Sequence, residues 1–423
     1  MKELKKQIYI KKLNHKFLPD SRRVITRYFY PGEDNRRVLN IQNRILALSE
    51  KRVKELLAET LILFSERHKD IKRVFYKHYQ KVSGIIKNHE RISEARKLLT
   101  GAYFTMEYSP ASAALFNPSI VPHPDQKGMD EAGIRFIQSF RAVGEGHLSS
   151  ILFTEGKIRQ NGEIVLNEDS RLLETGTVSH LNNSVYEVQF NKDTAISSQV
   201  IFPAVENEKA GIEDARFVRF RNDNGSYIYY ATYTAYDGKR IFPKLIETED
   251  FKKFRITLLK GKGSQNKGMA LFPEKINRKY TMISRGDNEN LFLMYSDDLY
   301  NWENPEFIRG PQDPWEFIQI GNCGSPVKTD KGWLLLIHGV GPVRRYCMGA
   351  LLLDLKNPSR VIGRLPFPLH CPDESERNGY VPNVIYSCGS ILWNGNLTVP
   401  YAASDTSSGM FFIDIDDLLA NLY

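Results

Sequence analysis

The feature that most constrains this chain is a loose repeat that recurs after Gly101: a strand, a polar turn, a second strand, an acidic corner and a further strand. Copies begin near Ile134, Tyr227, Lys279, Gly332 and Gly389, and those at Tyr227 and Lys279 align turn for turn. Short alternating apolar runs between Gly, Asn, Asp and Pro are the pattern of antiparallel strands. A unit this small cannot bury its own faces, so five units packed radially about an axis are expected, an all-β, five-bladed β-propeller with protected edges. The recurring corners Thr248-Glu249-Asp250 and Ser296-Asp297-Asp298 are read as structural, because Asp and Ser in a tight turn tie down their own backbone.

The first hundred residues have a different texture. Apolar positions Val38, Ile41, Ile45 and Leu48, then Val53, Leu56, Leu57 and Leu61, recur at three- and four-residue steps, a helical period. Arg67 to Lys87 repeats the pattern less cleanly, and Ser93 opens a further short helix. Residues 1–100 are therefore expected to form an N-terminal helical extension, and residues 101–423 the propeller.

Charge divides the same way. Residues 1–100 hold 25 Lys and Arg against 11 Asp and Glu, leaving 33 against 39 in the remainder. The basic residues are interspersed with acids and no nucleic-acid motif accompanies them, so a solvated helical surface is expected rather than nucleic-acid binding. No uninterrupted apolar stretch marks a membrane span or a secretory leader, which makes the expected location cytoplasmic, with no membrane partner. Cys323, Cys347, Cys371 and Cys388 lack metal-ligand spacing and are read as buried or idle thiols without a disulfide framework.

The most suggestive chemistry lies in Gly211-Ile212-Glu213-Asp214-Ala215-Arg216, at the entrance of a predicted strand. Alternation along a strand would turn Glu213 and Asp214 to opposite sides, one to a cleft and the other to Arg216. By itself such a string is more often a surface ion-pair cluster. Asn117-Pro118-Ser119, Ser139-Phe140-Arg141-Ala142, His338-Gly339-Val340 and Ser404-Asp405-Thr406 fall at equivalent places in other repeats. Together with Tyr233, Tyr236 and Tyr346 they would line a cleft polar enough to bind hydroxyls and aromatic enough to stack a sugar ring. Singly, His338 after Leu334–Ile337 is more often a hydrogen-bonded core histidine, while Arg141 and Asp405 could form a structural ion pair and Lys267 could be a solvated cation.

Seven ordered motifs carry a family resemblance: FNPSIVP at Phe116, SFRAVGEG at Ser139, GIEDAR at Gly211, NKGMALFPEKINRKY at Asn266, GSPVKTDKGWLLLIHGV at Gly324, YVPNVIYSCG at Tyr380 and YAASD at Tyr401. Over roughly Ala113 to Leu422 the chain resembles family 130 of the glycoside hydrolases, the β-mannoside phosphorylases and mannosidases. Its helical extension resembles the branch acting on β-1,2-linked mannobiose or oligomannosides. The resemblance implies a five-bladed propeller and an inverting reaction with Asp214 as general acid, its proton passing through a hydroxyl of the bound mannose. It also implies Asn117, Arg141, Glu213, Asp237 and Asp405 around the mannosyl ring, and Asn266, Lys267, Arg285, His338 and Tyr346 around phosphate. Ala215 stands where the family usually has Pro, a difference in backbone stiffness that leaves the acid in place.

Phosphate is already an anionic nucleophile, so a phosphorylase needs cations and no base, whereas an inverting hydrolase needs a second carboxylate across the ring. Gln265 stands where some of the phosphorylases carry Arg, and Glu289 is the candidate base of a hydrolase. The expectation is an enzyme converting a β-mannoside and inorganic phosphate to α-mannose 1-phosphate, without metal or other cofactor. A β-mannosidase and a non-catalytic sugar-binding propeller are the rivals. The helical extension is expected to cover the acceptor side of the cleft or to make a homo-oligomer contact.

Overall fold

The computed structural model describes residues 8–32, 35–85, 92–129, 133–160, 162–182 and 184–423. The chain forms two compact units. One comprises Asp20–Pro110 with Ser170–Glu174, and the other the segment ending at Pro19, Ala111–Asp169 and Thr175–Tyr423.

The smaller unit contains the helices Asn35–Leu46, Glu50–Phe64, Ile71–Ser83 and Glu94–Tyr103, with a two-stranded ribbon of Ile25–Tyr28 against Thr105–Tyr108. The first helical pattern is broken in two by Ser49, whose hydroxyl accepts from the Arg52 N–H and caps the second helix. Ser93 caps the last helix in the same way through Arg96 N–H. Val38, Val82 and Phe104 form one small core, and Ile45, Val53 and Leu99 another. Gly101 permits a close helix–helix approach, since a Cβ there would lie 1.8 Å from the Phe75 carbonyl oxygen. The change of texture at Gly101 thus falls inside a helix, not between two elements.

The larger unit is mostly β. Its described residues build five antiparallel sheets of four to six strands, and each of the five sequence repeats supplies the central strands of a different sheet. The repeat at Ile134 gives Ile134–Val143 and Ser149–Ile158; the repeat at Tyr227 gives Tyr227–Tyr236, Ile241–Thr248 and Lys253–Leu258. Those at Lys279, Gly332 and Gly389 give Tyr280–Ser284 with Leu291–Ser296, Trp333–Gly341 with Arg345–Leu353, and Asn396–Ala403 with Ser407–Asp414. Lys11–Lys12 pairs with Phe411–Phe412, so the start of the chain adds a strand to the sheet formed by its end. Lys12 also bonds Asp373 and the buried Glu376, which anchors that addition.

The acidic corners are structural, as expected. Asp298 N–H donates to Ser296 Oγ, and Phe251 N–H donates to Thr248 Oγ1. The reading of all four cysteines as thiols is corrected. Cys347 and Cys371, 24 residues apart, form a disulfide because the antiparallel bridge between Met348 and His370 brings their neighbours together. Cys323 and Cys388 are buried free thiols. No helix among the described residues is long and apolar enough to cross a membrane.

Candidate active site

Two interruptions of strand pairing create the site. Ala114–Pro122 shifts register between Phe116 and Ser119, and Ile212–Arg221 does so between Glu213 and Arg216. Within them Asn117 and Asp214 take left-handed backbone conformations, φ 47° and 55°. Asn and Asp enter that region more readily than other non-glycine residues. The bulges re-aim both side chains, as bulges do. Asn117 Nδ2 donates to Asp214 Oδ1 at 2.7 Å.

This geometry corrects the alternation argument. Glu213 and Asp214 do not divide between opposite sides; both reach Arg141, whose Nη2 lies 2.8 Å from Glu213 Oε1 and whose Nη1 lies 3.5 Å from Asp214 Oδ1. Strict alternation holds only while φ stays extended, and Asp214 leaves that region. Lys267 Nζ closes the group at 2.5 Å from Glu213 Oε2. Arg216 pairs with neither carboxylate; its Nη1 donates to the Asp214 carbonyl at 3.0 Å and its Nη2 to the Tyr386 hydroxyl. Sequence reading missed this Arg216–Tyr386 contact, since the partners lie 170 residues apart.

Charge sets the protonation of the group. Burial pushes the Asp214 carboxyl up, but Arg141, Arg216, the Asn117 amide and Lys267 outweigh it and hold Asp214 below the usual carboxylate range. Asp405, in the turn after Asn396–Ala403 with φ 51°, behaves oppositely. Burial and the Asp214 carboxylate push it to about 6, against the pull of Arg141 and Arg344.

Because its folded pKa lies above its unfolded one, the stability Asp405 contributes is complete below about pH 4 and lost as pH rises through about 6. Asp405→Asn is therefore expected to gain about 2 kcal/mol more stability, relative to wild type, at pH 7.5 than at pH 4.5. Urea unfolding of both proteins at the two pH values checks it, and an equal difference at both would refute it.

A second cluster adjoins the first through Arg216 and Tyr386. His338 is buried on the strand Trp333–Gly341, and its ring lies 4.8 Å from that of Tyr386 and stacks at 5.8 Å on that of Tyr346. Arg285 Nη1 sits 3.1 Å from His338 Nε2. A guanidinium only donates, so Nε2 accepts and the neutral ring carries its proton on Nδ1. Burial, then the charges of Arg285 and Arg216, push the imidazole well down, which agrees with that tautomer. Asn266 Nδ2 donates to the Arg285 carbonyl at 3.0 Å and to Asn288 Oδ1 at 2.7 Å, while its own Oδ1 accepts from the Lys267 N–H. It therefore organises the loop that bears Arg285.

Gly321 makes room for this cluster. A Cβ there would lie 2.4 Å from His338 Cε1 and 3.2 Å from Arg285 Cδ. Gly321→Ala should displace both side chains and raise the KM for phosphate, the co-substrate that the family resemblance implies, about tenfold or more, with the fold retained. Initial rates and a thermal melt check it; an unchanged KM would show that the two side chains are not needed in this position.

Not every expected residue joins the group. Asp237 accepts from the Lys239 and Arg240 N–H groups in its own turn and lines a different hollow. Tyr233 is buried, its hydroxyl donating to Glu208, so it does not line the cleft; as the seventh residue of the strand Tyr227–Tyr236, its surroundings are decided by packing rather than by turn position. Tyr236 does line a cavity of about 530 Å³ together with Arg141 and Glu213. The same cavity is walled by Glu145, His147 and Lys209, which sequence reading did not single out. Glu289 lies exposed in the Asp287–Asn290 turn, where its N–H donates to Asp287 Oδ1.

A sugar-sized hollow with carboxylates, cations and an aromatic wall, on a body of short antiparallel sheets, defines a protein that handles carbohydrate. Residues 168–423 match the profile of glycoside hydrolase family 130, described as β-1,4-mannooligosaccharide phosphorylase, and the chain belongs to this family. It is 34% identical over 231 residues to a 1,2-β-oligomannan phosphorylase of Thermoanaerobacter sp. (strain X514), covering 53% of this chain and 75% of the relative. To a β-1,2-mannobiose phosphorylase of the same organism it is 36% identical over 261 residues, 60% of this chain and 83% of the relative. The solved β-1,2-mannobiose phosphorylase of Listeria innocua shares the fold, with a TM-score of 0.52 at 21% identity over 73% of this chain and 92% of that one.

Proposed function

We propose that this protein is a five-bladed β-propeller enzyme that cleaves β-1,2-linked mannobiose or oligomannosides with inorganic phosphate, inverting the anomeric centre to release α-mannose 1-phosphate. The observation that carries the reading is the adjacency of two clusters: a carboxylate group around Arg141 and a cationic one around Arg285, joined through Arg216. Five separate sheets built on five sequence repeats support the propeller. The family membership and the phosphorylase relatives support the reaction.

In this reading Asn117, Arg141, Glu213 and Asp405 hold the mannosyl ring, and Lys267 and Arg285 hold phosphate, with His338 orienting Arg285 through its Nε2 acceptor and Asn266 and Tyr346 fixing their positions. A phosphate oxygen attacks C1 as the bond from C1 to the glycosidic oxygen breaks. Asp214 supplies a proton to that oxygen through a sugar hydroxyl. Hydrogen phosphate loses its own proton on becoming the ester and restores the one on Asp214, so charge and atoms balance. The cations that keep Asp214 ionised in the free protein are neutralised when the phosphate dianion enters and water leaves, and both changes raise its pKa toward that of a working acid.

Hydrolysis has less support, because the candidate base Glu289 is exposed in its turn. The protein incubated with β-1,2-mannobiose should yield mannose 1-phosphate and mannose only when phosphate is present. Free mannose formed equally without phosphate would sink the proposal. Cytoplasmic location and self-association belong to the same proposal.

A further inference from the structure

The sheet whose inner strand carries Glu213 and Asp214 has a second hollow of about 520 Å³ at the same end, over its outer strands. The register fixes this placement. Ile212 pairs with Ala235 and Ala235 with Phe242; two residues on, Lys244 pairs with Leu258, whose neighbour Thr257 pairs with Val185, itself paired with Asn182, so the pairing steps from the acid-bearing strand to the sheet edge near one end of the strands. The two hollows share a thin wall: Lys209 and Ala210 face the first where Glu206 and Asn207 face the second, and Tyr236 and Asp237 are likewise divided between them.

The lining of the second hollow indicates a neutral, hydroxyl-rich occupant. Its lysine, Lys244, is 3% exposed and bonds Glu208 Oε1 and Asn207 Oδ1 at 2.7 Å each, so it offers no uncompensated charge to an anion. Arg240 lies 3.8 Å from Asp237, and Glu206 is paired with Lys209. Phe242, Tyr186 and Leu258 add apolar and aromatic surface between these polar groups. Paired charges, amides and aromatic faces are the composition that binds a sugar rather than phosphate or a peptide terminus.

We propose that this second hollow is a remote subsite for the far sugars of an oligomannoside whose reacting end lies beside Glu213 and Asp214, which makes the enzyme sensitive to chain length. The inference rests on the function proposed above. Its test compares wild type with the His180→Ala/Arg240→Ala double variant, both side chains being exposed on the walls of the hollow. The readout is kcat/KM with phosphate on β-1,2-mannobiose and on the β-1,2-linked tetrasaccharide.

The ratio of tetrasaccharide to disaccharide values should fall about tenfold in the variant, through KM of the longer substrate, because remote contacts of this kind bind ground and transition states alike. Calorimetric titration of wild type without phosphate should also give tighter binding of the tetrasaccharide than of mannobiose. Turnover of both substrates with an unchanged ratio, or an equal loss on both, would overturn the subsite and leave the proposed reaction standing. Wild type that phosphorolyses neither would overturn both.

Discussion

Asp214→Asn should lower kcat on β-1,2-mannobiose by about three orders of magnitude while the protein stays folded. Proton delivery by a positioned side chain contributes roughly 10²- to 10⁴-fold, and natural mannoside leaving groups need the proton. The substitution keeps the shape and the acceptor that Asn117 Nδ2 uses at 2.7 Å. Arg141 retains Glu213 at 2.8 Å, so no buried cation is left without a partner. An acid also leaves a signature that a structural residue does not: with an aryl β-mannoside whose leaving group departs unprotonated, the loss should shrink to about tenfold or less. Equal losses on both substrates would remove Asp214 from the acid role, and full activity on mannobiose would end the proposed mechanism.

Arg285→Ala should raise the KM for phosphate about 100-fold while moving the KM for the mannoside less than twofold. A hydrogen bond to a charged group contributes about 1.5–3 kcal/mol, and Arg285 stands 3.1 Å from His338 with its backbone held by Asn266. His338 cannot take its place, because its Nε2 is an acceptor and burial opposes a charged ring. Initial rates at varied phosphate and fixed saturating mannobiose measure the effect. A change confined to the mannoside KM would put Arg285 on the sugar side and leave Lys267 as the principal cation for phosphate.

Much of this site was legible along the chain because its residues sit in turns and bulges whose sequence is distinctive. Asn117, Asp214 and Asp405 occupy left-handed positions, and residues tolerant of that conformation beside Pro, Glu or Ser stand out in a strand-rich sequence. The ordered motifs added what no single residue carried. Tyr233 was misread because its neighbourhood depends on which face of the sheet Glu208 occupies. Cys347 and Cys371 were misread because a bridge between other residues brings them together.

The five strand-rich repeats, the helical character of the residues before them and the family can all be read along the chain, since each follows from local period or from ordered motifs. Folding is what makes Glu213 and Asp214 share Arg141, lets Arg216 tie the acid's carbonyl to Tyr386, and brings Arg285 to donate to His338. Apart from the local bond between Arg216 and the Asp214 carbonyl, these contacts join residues 53 to 170 positions apart, and a charged group's role is set by the charges and burial that folding assembles around it.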